Sequence, residues 1–299
     1  MVLLSSTNAF SLHGVPFAHP SCVVDNKGSL LAEDFLVKLS NTYAYAVFCP
    51  QAALIENKTI CVKKEEEGRG LRLESIEEER PDRRLLPVYI QAHFNPKERY
   101  ADCHLLDDLV DKCMGRHNLD LKKNITADFF EVTDQARDEA GFIVSDKLQF
   151  VYQTFNPSQL ASQLTPSLTV KVTPFTSANL DELIDFDHSV SGFNREVYVE
   201  EMAKKTNTLI GREDGRIVAV LHGGEGRVYA LYAESKGAAH AVLKSFISKQ
   251  SKKISLYSPR GTWSECLSSS VVHRRHTRVI PSLINWSFVY SHNAGMNIV

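Results

Sequence analysis

Residues 86–94 alternate without a break. Val88, Ile90, Ala92 and Phe94 fall on one side and Tyr89, Gln91 and His93 on the other, which is the period of a half-buried strand. Pro96 stops the run, because it has no N–H to give to a ladder. Residues 105–114 then set Leu105, Leu106, Leu109, Val110, Cys113 and Met114 on one helical face, with Gly115 placed to close the helix. A second strand is expected over 125–130 and a short helix over 133–140, and Gly141-Phe142 ends the unit. An apolar helix face between two strands has to pack back onto a sheet, so this order confines the chain to a mixed α/β (α+β) architecture.

The remaining sequence is long enough for a second unit of similar size, since 299 residues suit two domains of about 150. With 43% hydrophobic and 23% charged residues the composition is that of a soluble globular protein. A net charge of −2 offers no electrostatic reason to expect nucleic acid as a partner. The cysteines at 22, 49, 61, 103, 113 and 266 form no C-x-x-C pair and no zinc-binding spacing with histidine, so no metal is expected and a reducing compartment is. No apolar run approaches the roughly 20 residues of a membrane span. The start, Met1 to Ser6, lacks a basic region and a long apolar core, which leaves the cytoplasm as the expected location.

Leu30, Leu31, Phe35, Leu36 and Leu39 recur at helical spacing. Residues 43–48 and 59–62 read as short strands, and the charged stretch 63–84 as a solvated hairpin or loop. Leu148, Phe150 and Tyr152 predict one face of a strand, and the Pro-, Ser- and Gln-rich residues 156–169 a linker. Beyond it come a strand over 168–172 and a helix capped by Ser177 that carries Leu180, Leu183, Ile184 and Phe186. Strands over 217–222 and 227–233 are joined by Gly223-Gly224-Glu225-Gly226. A helix bearing Ala239, Val242, Leu243, Phe246 and Ile247 follows, then strands over 254–257, 286–290 and 296–299.

Strand, Pro, basic residue, amphipathic helix, strand, helix, Gly-Phe: residues 85–142 resemble the GNAT (Gcn5-related N-acetyltransferase) superfamily. In that family a strand precedes an R/Q-x-x-G-x-G/A turn, and the N–H groups of the turn and of the helix behind it hold the pyrophosphate of CoA. The matching turn is Arg99-Tyr100-Ala101-Asp102-Cys103-His104, with Arg99 in place and Asp102 and His104 where the glycines stand. A carboxylate there brings like charge to a phosphate and can itself cap the helix amides. The family's tyrosine acid, four residues before the Gly-Phe, is Arg137 here. The second half resembles the companion domain of two-domain YitH-like proteins. The matches are Asp187-His188-Ser189-Val190-Ser191-Gly192-Phe193-Asn194-Arg195 and Leu231-Tyr232-Ala233-Glu234 followed by Ala238-Ala239.

The resemblance implies a GNAT-like domain over 1–157 and a smaller related domain over 168–299. It implies acetyl-CoA as co-substrate and transfer of an acyl group to a small-molecule or protein amine, without nucleic acid or membrane as partner. His93 is the candidate base, directly or through water, and Phe94, Arg99, Asp102 and His104 are the candidate CoA contacts. The alternative is a catalytically inactive protein of this fold that binds a ligand or another protein. Asp187 and Arg195 read either as an ion pair across a helix end, with Gly192 as its left-handed turn, or as substrate contacts. The basic run His273-Arg274-Arg275-His276-Thr277-Arg278 reads as a solvated loop or as an anion-binding surface. Trp263 and Trp286 are expected in the core or at a domain interface.

Overall fold

In the computed structural model, residues 124–129, 132, 137 and 141–292 are described in full, and the strands before them through their backbone. The first strands are β1 (Ala18–Val24), β2 (Leu30–Lys38) and β3 (Tyr43–Pro50), an antiparallel meander. β4 (Lys58–Lys64), β5 (Leu71–Ser75) and β6 (Tyr89–Phe94) form antiparallel pairs centred on β4. Next come β7 (Asn124–Phe129), β8 (Val144–Ser145), β9 (Phe150–Phe155) and the short helix α1 (Pro157–Ser162). The second half runs β10 (Lys171–Pro174), α2 (Leu180–Ser191), α3 (Glu196–Lys205), β11 (Asn207–Glu213), β12 (Arg216–Gly224), β13 (Arg227–Ala233) and α4 (Lys236–Ile247). It closes with β14 (Ile254–Pro259), β15 (Ser268–His276) and β16 (Val289–Ser291).

One sheet runs through the described strands in the order β10-β11-β12-β13-β14-β9-β15-β7-β3-β2-β1-β5-β4-β6. At its centre β15, from the second half, lies between β9 and β7 of the first half. The sheet is therefore continuous across the boundary expected near residues 157–168.

In the second half the sheet is covered on both faces. Leu183, Phe186 and Val190 of α2 and Tyr198 and Met202 of α3 pack with Ile210, Ile217 and Val220. Leu160 of α1 and Val242, Leu243 and Phe246 of α4 pack with Leu209, Val218 and Leu221 from the other side. Alternate residues of one strand thus enter different cores, which is why residues 217–221 and 228–233 read as unbroken apolar runs. The α4 helix starts where Ser235 caps it, its side chain accepting from the Ala238 amide at 3.2 Å.

Several expectations change. Residues 30–38, expected as helix, are strand β2, hydrogen-bonded on both edges, with Asp34 opposite Ser21 on one side and Phe48 on the other. The helical spacing spans only nine residues, and the strand neighbours on both edges override it. Residues 156–169 hold α1, whose Leu160 is fully buried, in place of a free linker. Leu148 lies outside β9 and is partly exposed. The α2 entry is closed one residue earlier than Ser177: the Asn179 side-chain oxygen accepts from the Thr176 N–H and hydroxyl at 3.3 and 2.8 Å. Trp286–Phe288 is a 3-10 turn leading into β16. The basic run at 273–276 is the end of the central strand β15 and not a solvated loop. The expected helix over 105–114 and the strand over 296–299 lie outside the described residues. Among the described residues no helix is long and apolar enough to cross a membrane.

Candidate active site at a parting strand pair

Both halves carry the same local arrangement. A three-stranded antiparallel meander (β1-β2-β3 or β11-β12-β13) is followed by one strand that pairs in parallel with its last member: β7 with β3, β14 with β13. In each case the parallel ladder ends early. β3 and β7 are joined through Tyr43↔Asn124, Ala44↔Ile125 and Tyr45↔Thr126, after which β3 runs on to Pro50 and β7 to Phe129. Their outer edges stay laddered, β3 on β2 as far as Pro50 and β7 on β15 as far as Phe129. The inner edges part beyond Tyr45 and Thr126, which leaves a notch within the sheet.

The second notch is filled by the chain itself. β13 and β14 share the pair Arg227↔Ser255, and β16 then lies antiparallel on β13 through Leu231↔Ser291 and Tyr232↔Val289. On its far side the His292 N–H donates to the Tyr257 carbonyl of β14 at 2.7 Å. An extended segment with amides on both edges therefore fits such a notch. Among the described residues no strand does this in the first notch. Beyond Tyr45 the inner β3 edge has no strand partner among the described residues, and its backbone groups suit the amide-bearing arm of an acyl thioester.

His93 and Phe94, the candidate base and thioester contact, are placed at a distance from this notch. They lie in β6, opposite Thr59 and Lys58 of β4, at the far end of the sheet, with β4, β5, β1 and β2 between β6 and β3. Arg99, Asp102 and His104 lie outside the described residues. Arg137 is exposed. The parting pair had no signal in the alternation of 86–94, because parallel partnership is a property of two distant segments.

Beside the first notch, β7 and β15 carry a buried polar layer. Asp128 and Arg274 stand directly opposite one another, and the guanidinium binds the carboxylate in a fork, Nε to Oδ1 and Nη2 to Oδ2, each 2.9 Å. Arg274 also lies over the Phe150 ring at 4.7 Å. Two pairs further on, Thr126 faces His276, with Thr126 Oγ1 2.7 Å from His276 Nδ1. The other ring nitrogen, Nε2, is 3.0 Å from Asp146 Oδ2. A carboxylate only accepts, so Nε2 carries the proton and Nδ1 accepts from the Thr126 hydroxyl. Burial holds the imidazole below its ordinary value of 6.5, against the pull of Asp146. Burial also opposes charge on Asp146, but hydrogen bonds from His276 and the Leu148 amide and the field of Arg274 bring its carboxyl below the ordinary value. The contact is therefore carboxylate to neutral imidazole.

In the second half Asp187, Gly192 and Arg195 take the structural alternative. Arg195 Nε and Nη2 each bind the Asp187 carboxylate at 2.7 Å, both side chains are buried, and Gly192 ends α2 at φ 72°. Trp263 is buried and gives its indole N–H to the Tyr290 carbonyl at 2.9 Å, which holds β16 in the second notch. Trp286 packs on Phe150 with ring centroids 5.2 Å apart, so both tryptophans join the core. Among the described residues no group of His, Cys, Asp and Glu is arranged to hold a metal.

With this geometry in hand, the structure is similar to the crystal structure of a "putative acetyltransferase" from Pyrococcus horikoshii. That match has a TM-score of 0.54 at 10% identity, and covers 91% of this chain and 77% of that one. The two share a mixed α/β fold. A GCN5-related N-acetyltransferase from Sphaerobacter thermophilus matches at TM-score 0.45 and 10% identity over 87% of this chain and 81% of that one. A tandem GNAT protein from the clavulanic acid biosynthesis pathway matches at 0.40 and 7% over 85% and 81%. A family described as a domain of unknown function (DUF7596) matches residues 2–144. No curated protein matches the chain.

Proposed function

We propose that the chain is an acyl-CoA-dependent N-acyltransferase of the two-domain, YitH-like kind, with the acyl thioester seated between β3 and β7. The observation that carries this is the parallel pair that stops at Tyr45↔Thr126 while both strands continue. The free β3 edge would hold the amides of the thioester arm. A small-molecule or protein amine would attack the thioester carbonyl at the fork. Acetyl-CoA is the first donor to test, and the cytoplasm is the setting in which it is supplied. The second half acts as a scaffold, its own notch being filled by β16.

Calorimetric titration with acetyl-CoA, together with release of free CoA thiol, tests the reading. A ligand that binds the native state raises its stability by mass action, so the melting temperature rises as well. Saturable binding with thiol release is expected. No binding at millimolar acetyl-CoA would refute it, and binding without thiol release would favour the inactive, ligand-binding alternative. Arg99→Ala and His93→Ala locate the site. Weaker binding in Arg99→Ala supports the pyrophosphate turn at 99–104, and unchanged turnover in His93→Ala places the base elsewhere than β6.

A further inference from the structure

The second notch is closed by a short insert. β16 is three residues long, and its ladder to β13 holds Leu231↔Ser291 and Tyr232↔Val289 with a register shift between Leu231 and Tyr232. On the other side the Tyr257 carbonyl of β14 accepts the His292 N–H at 2.7 Å and the Ser291 hydroxyl at 3.1 Å. The Trp263 indole N–H adds its bond to the Tyr290 carbonyl. The flanking strands have ladders of their own, β13 to β12 from Arg227 to Ala233 and β14 to β9 from Ile254 to Pro259. An insert between two strands that are each held elsewhere can open locally while they stay in the sheet.

His292 follows directly on β16 and is the group that fits the interior least. Its side chain is fully buried, and neither ring nitrogen has a hydrogen-bond partner. Tyr257, Phe150 and Trp286 enclose the ring, with centroids 4.2, 5.1 and 5.8 Å away. A phenyl ring would fill this space without the free-energy cost of two buried, unpaired polar atoms. We infer that β16 is an acid-released plug of the second notch, with protonation of His292 as its trigger. The plug works in this way whether or not the first notch takes an acyl thioester.

The surroundings oppose a charge on this ring. β15 presents the Arg274 guanidinium, which lies over Phe150 at 4.7 Å and Trp286 at 5.6 Å and so already takes the attraction these rings hold for a cation. Asp128 of β7, the carboxylate that could offset it, is forked onto Arg274. β14 presents the Tyr257 phenol, and β9 and the 3-10 turn present the apolar rings of Phe150 and Trp286. Burial and then Arg274 hold the imidazole well below its ordinary value of 6.5. Once out of the notch, His292 regains the ordinary value. The released form therefore binds more protons below it. The plugged state is fully favoured above about pH 6.5 and loses about tenfold in its equilibrium per pH unit below that, down to the value of the buried ring. Acidification thus frees the β13 and β14 edges beyond Arg227↔Ser255.

The test is backbone amide exchange of the full chain, the unaltered protein beside His292→Phe and His292→Gln. Exchange is read by mass spectrometry, corrected for the intrinsic rate, from about pH 7.5 to about pH 5. Strand β12 is the control, because its own buried His222 also resists protonation. In the unaltered chain, protection of residues 289–292 is expected to fall about tenfold per pH unit below about pH 6.5 while β12 stays protected. Both variants lack a titrating group at 292, so this pH dependence should vanish in them. His292→Phe should also exceed the unaltered chain in protection at the acid end. Protection of 289–292 that stays constant with pH in the unaltered chain would overturn the plug, and that measurement needs no variant to fold. A fall that persists in either variant would overturn the trigger. Loss of protection in β16 and β12 together would overturn local release, since β16 would then leave only by global unfolding.

Discussion

At the scale of single residues, Asp187, Gly192 and Arg195 show how a short motif acts in the fold. The chain leaves α2 through the left-handed Gly192 and turns back, which brings Arg195 onto Asp187 at the helix end. Burial works against charge on Arg195, but the Asp187 carboxylate outweighs it and raises the guanidinium above its ordinary value. Arg195 also lies over the Tyr198 ring at 4.8 Å. Asp187→Ala would remove the forked carboxylate partner of a buried guanidinium, and we expect a loss of about 3–5 kcal/mol by urea unfolding. Gly192→Ala meets two obstacles, the positive φ and a Cβ position only 2.5 Å from the Leu283 Cβ. It should lower the melting temperature with Asp187 intact. A variant as stable as the parent would show that the turn does not need glycine.

At the scale of elements, β15 is the least expected strand. Its charges look like a solvated surface in sequence, yet Arg274 is 2% exposed and His276 1%. Their partners are far along the chain: Asp128 lies 146 residues from Arg274, and Asp146 lies 130 from His276. A buried fork of this kind has a definite mutational signature. Arg274→Met alone should cost about 3–5 kcal/mol, because it removes the forked partner of a buried carboxylate. Arg274→Met with Asp128→Leu should recover most of that, since an apolar pair of similar volume removes the buried carboxylate as well. Equal losses in the single and double variants, measured by denaturant midpoint, would show that the pair itself contributes the stability. The strand β2 differs from expectation for a simpler reason, because its neighbours on both edges outweigh a helical spacing only nine residues long.

At the scale of the molecule, the two halves meet about a shared centre. Outward from β9 and β15, one side reads β14, β13, β12, β11 and the other β7, β3, β2, β1. Each half supplies a strand to the other, β9 pairing with β14 and β15 with β7. A fragment of residues 1–157 would lack β15, leaving the edges of β7 and β9 open and Asp128 without Arg274. Unpaired buried strand edges oppose folding. We expect that fragment to show little cooperative unfolding by circular dichroism. Co-expression with 158–299 should restore a stable complex on size exclusion. A fragment that melts cooperatively alone would show that the halves are independent.

Local pattern by itself determined most elements of the second half, the mixed α/β class, the tight turn at 223–226 and the ion pair across the end of α2. These depend on spacing within about ten residues, where periodicity, capping and turn chemistry act. The tertiary structure alone decided that the basic run is a central strand, that 30–38 is a strand, and that β7 parts from β3 and not from the alternating run at 86–94. Strand partnership and the burial of charge are set by groups more than a hundred residues apart. A notch in a sheet exists only once both of its edges have been brought together.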